Sequence, residues 1–287
     1  MWCMNTLHSI PLLLIALVLA AGCTSAPDTM TTGPEPTCGT LAAATTTSAA
    51  LTRLTIGVNA TLQEMDAILA TAATAMGTTG ITGPGANATL ALVAATTPYA
   101  IDAVSISAEG RIAAVMPEQY WAAVGTYVGN ESHNQQALQE RRPLMTPVFP
   151  AAEGFDAVSL RRPVTDSTGT FLGLATVLFN PQELIADQAD NALEGTNYTA
   201  WAIDMSSHLI YDRDPAGLVG RDMLTDPAFT DYPDLVAFVQ KIMAEPAGNG
   251  TYTFTPTKGG PAVVKDAVWG TVGLHGTDWR IVVASER

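Results

Sequence analysis

One apolar stripe, followed by an abrupt change of hydrophobic period, restricts the architecture of this 287-residue chain more than any other feature. Leu51, Leu54, Val58, Leu62, Met65, Leu69, Ala72 and Met76 recur at spacings of three and four in a stretch, 39–76, with few helix breakers. That spacing puts them on one face of a long amphipathic α-helix with a single stripe to bury. The run GTTGITGPG over 77–85 stops the helix, and a second, short one is expected over 87–96, before Pro98.

From Ala100 the period drops to two. Strands are expected in AIDAVSIS and, after the turn Ala108-Glu109-Gly110, in RIAAVMP. A helical or loop insertion then runs through Arg142, followed by strands MTPVFP, DAVSLRRPV and, after Asp166-Ser167-Thr168-Gly169, TFLGLATVLFN. Residues 181–287 repeat the plan: a helix over 182–190, strands TAWAID and HLIYD, and a loop region. A helix over 234–244 follows, then strands GTYTFT, AVVKDAVWGTVGL and DWRIVVAS. This is a repeat of topology rather than of residue identity. The fold class is α+β, a long N-terminal helix packed on two antiparallel sheet modules, 39–180 and 181–287.

Several of these segments carry a resemblance in their order and spacing. In the first module they are Ser107-Ala108-Glu109-Gly110-Arg111-Ile112, Val164 through Gly173, and the exit Phe179-Asn180-Pro181. In the second they are Trp201, Leu209-Ile210-Tyr211-Asp212, Gly220-Arg221-Asp222, Gly250 through Phe254, Trp269, and Asp278-Trp279-Arg280-Ile281-Val282-Val283. Together they resemble the extracellular double Cache sensor domains, in which a long helix leads into two PAS-like sheets, over residues 39–287. The resemblance implies a non-catalytic ligand-binding sensor whose membrane-distal module, 39–180, takes the ligand. Ser206-Ser207 stands where such domains have Asp-Gly at a hairpin. The amino-acid-binding members carry Arg-x-Trp-Tyr before the third strand and an Asp at the end of the last distal strand. Here those places hold Arg141-Arg142-Pro143-Leu144 and about Leu178, so an ammonium partner is not evident. Such sensors continue into a membrane helix and a signalling module, whereas this sequence ends at Arg287; the expectation is a protein that senses and passes its signal to a partner.

The N-terminus points to export. Residues 10–22, IPLLLIALVLAAG, have the uncharged length of a signal-peptide core, and Leu19-Ala20-Ala21-Gly22-Cys23 resembles a lipobox, which implies lipidation at Cys23. Residues 1–22 are thus expected to be a signal peptide, and 23–38, rich in Pro, Thr and Ser, a linker tethering the body to the outer face of the cytoplasmic membrane. Cys38 alone remains in the body, so no internal disulfide is expected. Sequons at Asn59, Asn87, Asn130, Asn197 and Asn249 suggest a glycoprotein, with abundant Thr as the competing explanation.

A net charge of −14 with three Lys argues against nucleic acid, which needs a basic face that releases counterions. No nucleophile elbow, zinc-protease helix or phosphate-binding glycine loop occurs, and His133, His208 and His275 lack metal spacing. The expectation is no enzyme, no cofactor and no metal. The acidic run Asp204, Asp212, Asp214, Asp222 and Asp226 reads as a solvated loop, because it lacks calcium-loop spacing.

The double arginines Arg141-Arg142 and Arg161-Arg162 stand out, since all five bases of 100–180 are Arg. A guanidinium binds a carboxylate with a planar two-pronged donor set. Alternation in DAVSLRRPV puts Val158, Leu160 and Arg162 on one face and Ala157, Ser159 and Arg161 on the other, so that one Arg points at a pocket and the other at water. The candidate ligand-binding residues are Arg141, Arg142 and Arg162, with Tyr120, Trp121 and Tyr127 as apolar lining. The expected partners are a small carboxylate ligand, the membrane through the anchor, and a membrane signalling protein. A substrate-capturing lipoprotein of a transporter and a ligand-free envelope or adhesive protein are the alternatives.

Overall fold

The computed structural model describes residues 38–96, 99–151, 154–213, 217–255 and 260–287. The expected signal peptide, the linker up to residue 37, Cys23 and Asp214 lie outside the described residues.

Helix α1, Cys38–Thr79, runs for 42 residues, about 63 Å at 1.5 Å per residue. It ends where Gly80 takes a left-handed backbone, φ 87°, and donates its N–H to Met76 O at 2.8 Å. The stripe does what its spacing implies. Leu54, Val58, Leu62, Leu69 and Met76 are fully buried, Met65 and Ala72 nearly so, and Leu51 packs at the margin. Helix α2, Gly83–Thr96, starts earlier than its sequence suggests and buries Ala86, Leu90 and Val93.

The first sheet contains β1 (Ala100–Ser107), β2 (Ile112–Met116), β3 (Leu144–Met145), β5 (Asp156–Thr165) and β6 (Phe171–Phe179), in the order β2-β1-β6-β5-β3. The short β4, Phe149–Pro150, pairs with β5. Between β2 and β3 lies the insertion: a 3-10 turn over Glu118–Ala123, then α3, Ser132–Glu140, which ends with Arg141 at φ 48°. After α4, Pro181–Ala192, the second sheet follows. It has β7 (Thr199–Asp204), β8 (Leu209–Asp212), β9 (Gly248–Phe254), β10 (Val263–Leu274) and β11 (Thr277–Glu286), in the order β8-β7-β11-β10-β9. The two orders superimpose strand for strand, which is the repeat of topology seen in the sequence. Helices α5, Pro227–Thr230, and α6, Pro233–Ala244, cover the second sheet.

α1 lies across both sheets and joins them into one core. In the first sheet Val158, Leu160, Val164, Ala175, Val177 and Phe179 face it; in the second, Trp279, Ile281 and Val283 do. The opposite face of the second sheet buries Trp201, Trp269 and Tyr252 against Phe238 of α6, with Trp201 Nε1 donating to Tyr252 Oη at 3.2 Å. The β7–β8 turn forms without Asp-Gly: Asp204 Oδ1 accepts the N–H groups of Ser206 and His208, while Ser207 adopts φ 66°. Ser207 Oγ then donates to Asp222 Oδ1 at 2.6 Å, which ties the turn to the loop beyond β8.

Candidate functional site

The face of the first sheet turned away from α1 is polar at its centre. Pairing of β1, β6 and β5 aligns Asp102, Leu178 and Ser159 in one row and Val104, Thr176 and Arg161 in the next. Asp102, Ser159, Arg161 and Thr176 are all buried. So many polar side chains on a covered sheet face cost stability unless they are hydrogen-bonded or held for another purpose.

Helix α3 roofs this face. Arg161, 4% exposed, donates from Nη1 to Asn134 Oδ1 on α3. Asn134 Nδ2 in turn donates to Val128 O at 2.9 Å and to Glu131 Oε2 at 2.7 Å, so the amide is fixed from both ends. His133 stacks on Phe149 with ring centres 4.5 Å apart, and its Nε2 lies 3.1 Å from Glu131. Thr146, on the chain leaving β3, exchanges bonds with Ser159 and seals the far edge. Arg161 Nε has no hydrogen-bond partner among the described residues. A buried guanidinium with an unused donor is an unmet demand for an acceptor.

Burial lowers Arg161 to about 10, against which the Glu131 charge pulls upward, so the guanidinium stays cationic at neutral pH. Burial, with the Arg161 charge second, lowers His133 to about 4. The Glu131 contact opposes this shift but is weakened by solvent around its carboxylate, 48% exposed. His133 is therefore neutral in the folded protein at pH 7. Its folded pKa lies below the ordinary 6.5, so stability falls as pH drops from about 6.5 toward 4 and the unfolded imidazole takes up its proton. Thermal denaturation at pH 7 and pH 5 is expected to show a loss of about 1 kcal/mol that His133→Gln removes.

The residues singled out from sequence are not gathered in one place. Trp121 and Tyr127, 47% and 52% exposed, lie on the outside of the insertion, where Tyr127 packs on Gly129 and under the Arg111 guanidinium; Tyr120 is half-buried. Arg141 stands at the rim, exposed, its guanidinium 4.6 Å over the Phe171 ring. Arg142 is exposed and pairs with Glu140 at 2.6 Å. Arg162 points to α1 and donates from Nε and Nη2 to the two carboxylate oxygens of Asp66. Neither strand arginine faces open water, contrary to expectation: Arg161 is roofed by α3 and Arg162 is held by α1. Sequence reasoning passed over Arg161. The signal was present, because Arg162 shares its face with Val158 and Leu160, the helix side, whereas Arg161 shares its face with Ser159.

The second sheet holds a cavity of about 30 Å³ lined by Trp201, Leu209, Phe229, Tyr252 and Lys265 among others, room for roughly one water. Among the described residues no group of His, Cys, Asp and Glu is placed to hold a metal ion, and no helix is long and apolar enough to cross a membrane.

Residues 60–181 match the HK/GC/Chemotaxis protein-like sensor domain. No curated protein matches the chain. Among solved structures, an extracellular ligand-binding receptor from Desulfohalobium retbaense is 26% identical with a TM-score of 0.69, over 82% of this chain. The match spans only 39% of that receptor's length. Methyl-accepting chemotaxis protein X is 12% identical with a TM-score of 0.65, over 87% of this chain and 99% of that one. The ligand-binding domain of the Pseudomonas fluorescens chemoreceptor CtaA, solved with L-serine, is 14% identical with a TM-score of 0.56, over 81% and 92%. The chain carries the Cache-type sensor fold of the extracellular ligand-binding domains of chemoreceptors and histidine kinases.

Proposed function

We propose that the protein is an extracytoplasmic sensor that binds a small carboxylate on the α3-covered face of its first module and passes the signal to a membrane partner. The observation that carries this reading is Arg161, a buried cation whose Nε lacks an acceptor among the described residues. A ligand carboxylate would accept from Arg161, with Ser159 and Thr176 beside it on the same face. An amino acid is the first carboxylate to try, because Asp102 stands on that face in the row of Leu178 and offers an anionic group for an ammonium. The fold neighbour solved with L-serine supports the same choice.

The lipobox-like Leu19–Cys23 supports a lipid anchor at Cys23 and a linker that holds modules 39–180 and 181–287 at the outer face of the cytoplasmic membrane. Of the sequons, Asn130, Asn197 and Asn249 are exposed and are the proposed glycan carriers; Asn59 Oδ1 is already taken by the Gly273 N–H at 3.1 Å. Thermal shift with L-serine, GABA and succinate tests the ligand reading. A ligand at 100 times its dissociation constant stabilises by about 2.7 kcal/mol. No shift with any carboxylate in the full-length, folded protein would move the function to the envelope alternative.

A further inference from the structure

Arg161 and Arg162 are consecutive on β5 and point to opposite faces, so a shift of the strand at one is a shift at the other. Behind the ligand face, Arg162 Nε donates to Asp66 Oδ1 at 2.8 Å and Nη2 pairs with Oδ2. Asp66 sits on α1 and is 7% exposed. The same Oδ2 lies 3.0 Å from Nε2 of His275, a close contact without hydrogen-bond alignment, at the tip of the β10–β11 hairpin of the second sheet. Two more contacts join the first module to that hairpin: Arg142 Nη1 to His275 O at 3.4 Å, and Thr277 Oγ1 to Met145 O at 2.6 Å. Burial opposes ionisation of Asp66, but Arg162 and His275 outweigh it and hold the carboxyl below its ordinary value. The Arg162–Asp66 pair is thus charged, and the cluster is largely buried and contributed by three elements: the ligand-facing strand, the helix spanning both sheets, and the second module's hairpin. Packed elements linked in this way move as units rather than deforming smoothly.

We propose that Arg162, Asp66 and His275 couple occupancy of the Arg161 site to the β10–β11 hairpin, so that binding on the first sheet is read on the second. The proposal rests on the ligand site proposed above. Its test is hydrogen exchange of amides 274–277 in the full-length protein. Exchange is read with and without L-serine, GABA and succinate, and separately with Arg161→Met as a ligand-independent disturbance of β5. A bound probe, or Arg161→Met alone, is expected to change hairpin exchange about tenfold. Asp66→Asn should cut either response to less than about twofold while the thermal shift by the probe persists. Since Asp66→Asn strips Arg162 of its partner and risks unfolding, His275→Gln, which leaves the Arg162–Asp66 pair intact, serves as the second variant with the same expected loss. An undiminished hairpin response in either folded variant overturns the proposal. If no probe shifts the melting temperature, the ligand reading fails separately and the Arg161→Met arm still decides the coupling: an unmoved hairpin there refutes it.

Discussion

Arg161→Met is expected to weaken carboxylate binding about 100-fold, roughly 3 kcal/mol, while unfolding stability changes by less than about 2 kcal/mol. The two effects separate because the guanidinium is buried. Deleting a cation that would meet the ligand charge in a water-poor site removes a charge-assisted hydrogen bond and leaves the ligand anion desolvated without compensation. Folding, in contrast, already bears the cost of hiding that charge, and an unbranched apolar side chain of similar length often replaces it with little loss. Asn134 loses the donor to its Oδ1 but keeps both bonds from Nδ2. Arg142→Ala, at an exposed residue paired with Glu140, is the control and should bind as the wild type does. Isothermal titration calorimetry and urea denaturation of the two variants give both quantities.

The largest stability loss is expected at Gly173. It lies on β6 opposite Ser107 of β1 with φ 147°, and a Cβ there would sit 2.0 Å from Ile106 O and 3.0 Å from Ser107 Cα. Those are backbone atoms of the neighbouring strand, so relief requires the two central strands to separate. Gly173→Ala should lose about 3–5 kcal/mol, a large share of the roughly 5–15 kcal/mol that holds a domain folded, and lower the melting temperature by roughly 10 °C. Gly270 on β10 supplies the comparison. Its Cβ would meet only the Thr55 and Leu51 methyl groups, at 3.6 and 3.8 Å, and Gly270→Ala should stay within about 1 kcal/mol of the wild type. Equal melting temperatures for Gly173→Ala and the wild type would contradict the close strand approach.

How much of this was legible in the sequence follows from which forces act locally. The α1 stripe and the strand alternation are periodic, and with the turn signals they marked α1 and most strands of both modules to within a few residues; MTPVFP, expected as one strand, is two short ones, Leu144–Met145 and Phe149–Pro150. Long-range pairing left weaker marks. Alternation separated Arg161 from Arg162, but which side of β5 faced α1 depended on reading Val158 and Leu160 as the helix side and Ser159 as the insertion side. Asn134, which meets Arg161 across 27 positions of sequence, had no local signal at all. Arg142 and the aromatics of the insertion stood out by residue type, yet the insertion places Trp121 and Tyr127 outward. The β7–β8 turn was uncertain for a different reason: a left-handed residue is usually Gly, and Ser207 is held there by Asp204 and Asp222, the second of which lies 15 residues on.

The most direct measurement is a crystal structure of the protein with bound L-serine, GABA or succinate. The account predicts a ligand carboxylate oxygen about 3 Å from Arg161 Nε, beneath α3, with Ser159 and Thr176 beside it. Ligand seated in the second module near Trp201 and Tyr252, or held at the rim by Arg142 with Arg161 still bonded only to Asn134, would contradict it.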